Sequence, residues 1–294
     1  MKNLSQRLKG TGVAIATPFK KDLSVDLDSI TTMVEFLIKN GIDYIVVQGT
    51  TGESSTLNEE EKILSRNAFI KANNNRIPLL IGIGSNDTRS VVNYISNADL
   101  SGFCAVLSVT PFYNRPSQSG LFEHFSAISK SSPLPIILYN VPTRTGCDMD
   151  YSTTIKLANG FKNIIGIKEA SGNMDKIFKL ISNRPDGFLI ISGDDETAYQ
   201  SVLMGADGVI SVAAGCIPQH FRNIINLAIE GNEERAKTEY DKINQLLNLL
   251  FKEGNPTGLK AALAIKKLCQ NHLRLPLLPS SKELYLEIEN FFKK

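Results

Sequence analysis

A lysine inside an apolar strand is the first residue of this 294-residue chain that calls for a chemical explanation. Lys168 lies in IIGIKEA, where a charged side chain is costly unless it has a partner or a task. A free lysine, with a pKa of roughly 10.4, is almost wholly protonated at neutral pH. Apolar surroundings favour the neutral amine, a nucleophile able to form an imine with a ketone. The alternative is a lysine at the strand rim, paired with its neighbour Glu169.

Other polar residues gather at comparable places. Tyr139 and Arg144 lie in YNVPTRTG, the first at the end of an apolar run and the second after a proline-fixed turn. A guanidinium fork there suits a carboxylate, although a surface arginine and a core tyrosine fit the same pattern. The loop GTTGES at 49–54 offers hydroxyls and free amides ahead of a helix, which can hold a small carboxylate. Asp194-Asp195 looks like an acid/base pair, but helix capping is the ordinary use of such residues. His124, His220 and His272 share no metal-ligand spacing, so neither a metal nor another cofactor is expected.

These residues need a scaffold that brings them together. Eight short apolar runs recur: GVAIATP (12–18), YIVVQG (44–49), PLLIGIG (78–84), FCAVLSVTP (103–111), PIILYNVP (135–142), IIGIKEA (164–170), FLIISGDD (188–195) and GVISV (208–212). Each reads as a strand buried on both faces, and each is followed by a helical stretch. Helices are expected from Leu57 to about Ala72 with Asn58 as N-cap, from near Asp26, and after Ser117. Repeated strand–helix units close into a (β/α)₈ barrel. The competing doubly wound sheet would carry a Gly-rich phosphate loop after the first strand, and TPFKKD is not one. The division expected is a barrel over 1–218 and a helical extension over 219–294, helical at 219–252, 256–271 and 280–293. Active sites of such barrels lie at the C-terminal ends of the strands. Thr50 and Thr51, Tyr113, Tyr139, Arg144, Lys168 and the two aspartates all fall there.

Composition narrows the function. Hydrophobic residues make up 42% and charged residues 21%, with a net charge of +2 and no basic stripe, which argues against nucleic acid. No apolar run approaches a membrane span and the N-terminal MKNLSQRLKG has no signal-like core, so a cytoplasmic location is expected. Cys104, Cys147, Cys216 and Cys269 lack paired spacing and read as buried free thiols.

Taken together, GTTGES, TPFYNRPSQ (110–118), LYNVPTRTGCD (138–148), NIIGIKEASGN (163–173), SGDD (192–195) and GVISV make the chain resemble the dihydrodipicolinate synthase family. The wider superfamily includes N-acetylneuraminate lyase. The resemblance spans nearly the whole chain and implies a Schiff-base lyase that condenses pyruvate with L-aspartate-4-semialdehyde on the way to lysine and diaminopimelate. It makes Lys168 the Schiff-base lysine and Tyr139 the proton donor and acceptor, linked to Thr50 and Tyr113 in a hydroxyl relay. It has Thr51 and the backbone of Ile210 contact pyruvate, and Arg144 hold the carboxylate of the semialdehyde. The counterpart of Tyr113 enters a neighbouring subunit, which implies a homo-oligomer, a tetramer built as a dimer of dimers.

Two rival readings differ in specific residues. A pyruvate lyase for N-acetylneuraminate or a sugar acid would lack the arginine of YNVPTRTG. A catalytically inert barrel would lack Lys168, Tyr139 or Thr50. Lysine-inhibited members that the chain resembles carry histidines where Glu59 and Lys62 stand, a carboxylate at Ser90 and a tyrosine at Phe112, whereas Ser54 and Asn86 fit their pocket. Weak or absent lysine feedback is therefore expected.

Overall fold

The eight β-branched runs pair in sequence order, all parallel, and the last returns to the first to close the ring. The structure is a computed structural model that describes residues 2–293. Its first half runs α1 (Lys2–Arg7), β1 (Gly10–Ala14), α2 (Leu27–Lys39), β2 (Tyr44–Val47), α3 (Glu59–Asn73), β3 (Leu79–Gly82), α4 (Thr88–Asn97), β4 (Ala105–Val109) and α5 (Gln118–Ser131). The second half runs β5 (Ile136–Asn140), α6 (Pro142–Thr145), α7 (Tyr151–Gly160), β6 (Ile164–Glu169), α8 (Met174–Asn183), β7 (Leu189–Ser192), α9 (Ala198–Leu203) and β8 (Gly208–Ser211). Four helices follow: α10 (Pro218–Ile229), α11 (Glu233–Phe251), α12 (Thr257–Ile265) and α13 (Lys282–Lys293). The expected (β/α)₈ barrel is therefore the fold.

Local chemistry sets the helix starts. Asn58 accepts from the Glu61 amide at 2.9 Å while the Glu61 carboxylate accepts from the Asn58 amide at 3.0 Å, a reciprocal cap on α3. Asp26 and Ser117 cap α2 and α5 from one side only, their side chains accepting the Ser29 and Gly120 amides. Two expectations for the C-terminal region need correction. The stretch 219–252 is two helices, because Gly231 turns the chain at φ 74° and Asn232 caps a new start. The helix expected to reach residue 271 stops at Ile265, followed by Lys267 at φ 59°.

Strand alternation produces two apolar layers. Outward residues pack under the helices, and inward residues such as Tyr44, Val46, Leu107, Ile137, Ile191 and Ile210 fill the barrel. Tyr44 seals the lower end with its hydroxyl on the Val209 carbonyl at 3.3 Å, and its ring occupies the space a side chain at Gly12 would need. One irregularity matters for chemistry. Between β5 and β6 the register shifts, so Ile136 pairs with Ile164 but Ile137 pairs with Gly166. Without that extra residue Lys168 would pair with Asn140 and face the helices; with it, Lys168 pairs with Tyr139 and faces the interior.

The C-terminal helices are fastened to the loop after β2 by buried charge. Lys260 of α12 is fully buried and pairs with Glu53 at 2.5 Å, while its amine also donates to the His272 carbonyl at 2.8 Å. Burial pushes the pKa of this amine down, and Glu53 beside it pulls it part of the way back. The second oxygen of Glu53 accepts the Arg274 amide at 3.1 Å, and Arg274 holds the Thr56 carbonyl and Glu61. Both cations lie over the Phe19 ring, at 4.1 and 4.5 Å from its centroid. Removing one partner strands the other charge in a dry interior. Lys260→Met should therefore cost about 3–5 kcal/mol in urea unfolding, and adding Glu53→Gln should recover most of it. A double variant no more stable than the single one would contradict this.

Candidate active site

The C-terminal ends of β4 to β7 bring a row of side chains to one level. Val109 pairs with Tyr139, Tyr139 with Lys168, and Lys168 with Ile191. Lys168 is 5% exposed, and its amine lies 4.4 Å from the centroid of the Tyr139 ring. The stem of the lysine runs against Gly193, where any side chain would overlap the Lys168 methylenes. The glycine of SGDD thus makes room for the amine, a role not visible in the sequence alone.

Glu169 does not pair with Lys168, because the two point to opposite faces of β6. Its carboxylate, pushed above the usual range by burial and drawn back by Lys176, accepts from the Asn140 amide at 2.9 Å and the Ser171 amide at 2.8 Å. Asn140 also donates to Asp148 at 2.7 Å and accepts from the Met149 amide at 2.9 Å, and Lys176 pairs with Asp148. This outer network pins the loops after β5 and β6, and so the positions of Tyr139 and Lys168. The strand-rim reading of Lys168 is thereby replaced.

A cleft of about 720 Å³ opens above this row. Thr50, Tyr139 and Arg144 line it together with Ser54, Glu59, Lys62, Ser90, Tyr94 and Phe112. Thr51, buried under the cleft in the 3₁₀ turn Thr50–Gly52, accepts a hydrogen bond from Asn255 at 3.0 Å. Arg144, on the short helix α6, donates to the Asn255 carbonyl at 3.3 Å and leaves the rest of its fork at the cleft. Ile210 lies fully buried in β8. Lys168, Thr51 and Ile210 are not on the cleft wall itself; Lys168 sits behind Tyr139. Tyr113 is not gathered with the others: it is 88% exposed and stands at φ 75°.

The two aspartates divide their work. Asp194 accepts from the Thr197 amide and hydroxyl, as a cap does. Asp195 instead reaches across to the loop after β8, where one oxygen accepts the amides of Val212 at 3.1 Å and Ala213 at 2.8 Å. Burial pushes its pKa up to about 6, against the opposing pull of these amides. All four cysteines are free thiols as expected, but only Cys147, Cys216 and Cys269 are buried while Cys104 is half-buried; burial pushes the Cys216 thiol up to about 12. Among the described residues no three His, Cys, Asp or Glu side chains form a metal-ligand group, and no helix is long and apolar enough to cross a membrane.

Asp195 makes stability depend on pH in a defined direction. Its folded pKa, about 6, lies above the unfolded value of 3.8, so its contribution is full below pH 3.8 and is lost as pH rises through 6. Asp195→Asn keeps the accepting oxygen and carries no charge. The Tm of this variant relative to the parent should rise between pH 4 and about pH 6 and level off above it; a difference that does not change with pH would contradict the assignment.

Comparison with known proteins places this architecture. A sequence profile described as the dihydrodipicolinate synthetase family matches residues 7–294. The 4-hydroxy-tetrahydrodipicolinate synthase of Phocaeicola vulgatus is 47% identical over 94% of this chain and 93% of its own length. The dihydrodipicolinate synthase of Acinetobacter baumannii, solved in complex with pyruvate, superposes with a TM-score of 0.94 at 42% identity, covering 97% of this chain and 98% of that one. A monomeric dihydrodipicolinate synthase variant superposes with a TM-score of 0.95 at 36% identity, covering 98% and 97%. The matches run nearly end to end, and they include the lysine strand and the loops of the cleft; the chain belongs to the dihydrodipicolinate synthetase family.

Proposed function

We propose that Lys168 is the Schiff-base nucleophile of a 4-hydroxy-tetrahydrodipicolinate synthase, a lyase that condenses pyruvate with L-aspartate-4-semialdehyde in lysine biosynthesis. The activity follows from family membership and from the names its full-length relatives carry. The observation that carries the residue assignment is the Lys168 amine, 5% exposed, turned into the barrel beside the Tyr139 ring at the cleft.

The chemistry follows from that placement. The neutral Lys168 amine adds to the keto carbon of pyruvate, water leaves, and the cationic imine becomes an electron sink for loss of a methyl proton. The enamine attacks the aldehyde carbon, its oxygen takes a proton, and the amine of the adduct then adds to the imine carbon and expels Lys168. Tyr139, beside the amine, moves these protons, with Thr50 as its neighbour at the cleft. Thr51 and the Ile210 backbone receive the pyruvate carboxylate. Arg144 holds the second carboxylate, and a cationic fork on the cleft counts against a sialic- or sugar-acid lyase.

Tyr113 supports an assembly. A tyrosine held at φ 75° costs about 1–3 kcal/mol, and one this exposed serves no purpose in its own cleft. It completes the relay of a neighbouring copy, in a homotetramer built as a dimer of dimers. Residues 219–294 act as the extension that braces the site, and the enzyme works in the cytoplasm.

Two outcomes test this reading. Borohydride with pyruvate should add one reduced adduct per chain at Lys168, absent in Lys168→Ala, as read by peptide mass spectrometry. Arg144→Ala should keep that adduct while raising KM for the semialdehyde by about 10- to 150-fold, the value of a charge-assisted bond. An adduct on Lys176 or Lys260 would overturn the assignment.

The same cleft bears on lysine feedback. Lys62 pairs with Glu59 at 2.7 Å and stands 5.8 Å above the Tyr94 ring, so a cation already occupies the wall that would receive an inhibitor's ammonium. The Ser90 hydroxyl is committed to Asp87 and offers no carboxylate. Titrating lysine into the coupled assay should give half-inhibition only above about 1 mM, a binding energy near 4 kcal/mol. Half-inhibition at lower concentration would refute this.

A further inference from the structure

The helical extension reaches the active site through one residue. Asn255 lies between α11 and α12, is 7% exposed, and is followed by the helix that carries the buried Lys260–Glu53 pair. Its side-chain amide donates to the Thr51 hydroxyl at 3.0 Å, and its main-chain carbonyl accepts from Arg144 at 3.3 Å. It thus touches the residue assigned to pyruvate with its side chain and the residue assigned to the semialdehyde with its backbone.

We infer that Asn255 is a positioning residue that fixes the hydrogen-bond direction of Thr51. A hydroxyl has one hydrogen to give and lone pairs to receive. Because the Thr51 oxygen receives the Asn255 N–H, its own hydrogen is free to point at an acceptor in the site. A carboxylate is the acceptor that gains most, since a hydrogen bond to a charged oxygen is shorter and about twice as strong as a neutral one, and an amide feeding the hydroxyl polarises it further. The inference rests on the reading that Thr51 binds pyruvate. It adds that the keto-acid site is completed by the C-terminal extension, from a residue 204 positions away in the chain. The Arg144 contact uses the carbonyl, which every substitution at 255 retains, so the two substrates respond differently to a change of the side chain.

The test compares Asn255→Ala, Asn255→Asp and Thr51→Val in the full-length enzyme, each checked for folding by circular dichroism and Tm. Asn255→Ala should raise KM for pyruvate about tenfold and leave KM for the semialdehyde unchanged. Asn255→Asp should be worse, about a hundredfold, because its carboxylate takes the Thr51 hydrogen and sets a like charge near the substrate. A merely structural role predicts no such ordering of alanine and aspartate. Thr51→Val with Asn255→Ala should be no worse than Thr51→Val alone, and this cycle decides the matter if the aspartate variant does not fold. Unchanged pyruvate KM in both Asn255 variants, or an additive double variant, would overturn the proposal while Thr51→Val still impairs pyruvate trapping. If Thr51→Val itself leaves pyruvate KM and trapping intact, the assignment of Thr51 fails, and the proposal with it.

Discussion

An amine inside a closed barrel can meet only what the neighbouring strands present to it. That constraint governs the rest of this structure. The ring of eight parallel strands leaves no edge and no route by which the Lys168 stem could escape to water, so its neighbours in register, Tyr139 and Ile191, define its surroundings. The register shift at Ile136 and Ile137 decides that the lysine faces inward at all. Gly193 then gives the stem its channel, and the network of Asn140, Glu169, Asp148 and Lys176 fixes the two strand ends from outside. The inward placement of the Lys168 amine is a consequence of pleat, register and one absent side chain.

A second polar network performs the corresponding task for the loop that lines the cleft together with Tyr139. The turn Thr50–Gly52 ends on Glu53 in a left-handed conformation, which a glutamate holds only where its surroundings demand it. Lys260 of α12 and Arg274 of the segment between α12 and α13 supply that demand. Extension and barrel are therefore joined at the site and not merely in contact along a surface. Hydroxyls at 50 and 51 sit on a support made by residues more than two hundred positions later in the chain.

Much of this was legible before the structure. Lys168 stands out because a charge inside an apolar run is expensive, whereas Tyr139 and Arg144 gain meaning only through the family resemblance; the strand runs and the caps at Asp26, Asn58 and Ser117 have local signatures. Asn255 and Lys260 did not, because Gly-Asn-Pro reads as an ordinary turn and Lys260 in TGLKAALAI as an ordinary helical lysine. Their meaning depends on long-range pairing and burial, which no local pattern encodes. The break at Gly231 was visible as a residue and was passed over, since helical periodicity continues on both sides. The alternative in which Glu169 pairs with Lys168 fails because residues adjacent in a strand point to opposite faces.

The central claim is that Lys168 bonds covalently to pyruvate inside the barrel. A crystal structure of the chain grown with pyruvate tests it most directly. The account predicts continuous density from the Lys168 amine nitrogen to the second carbon of pyruvate, with the carboxylate at Thr51 and the Ile210 backbone. Pyruvate bound without a covalent link, or joined to a different lysine, would contradict it.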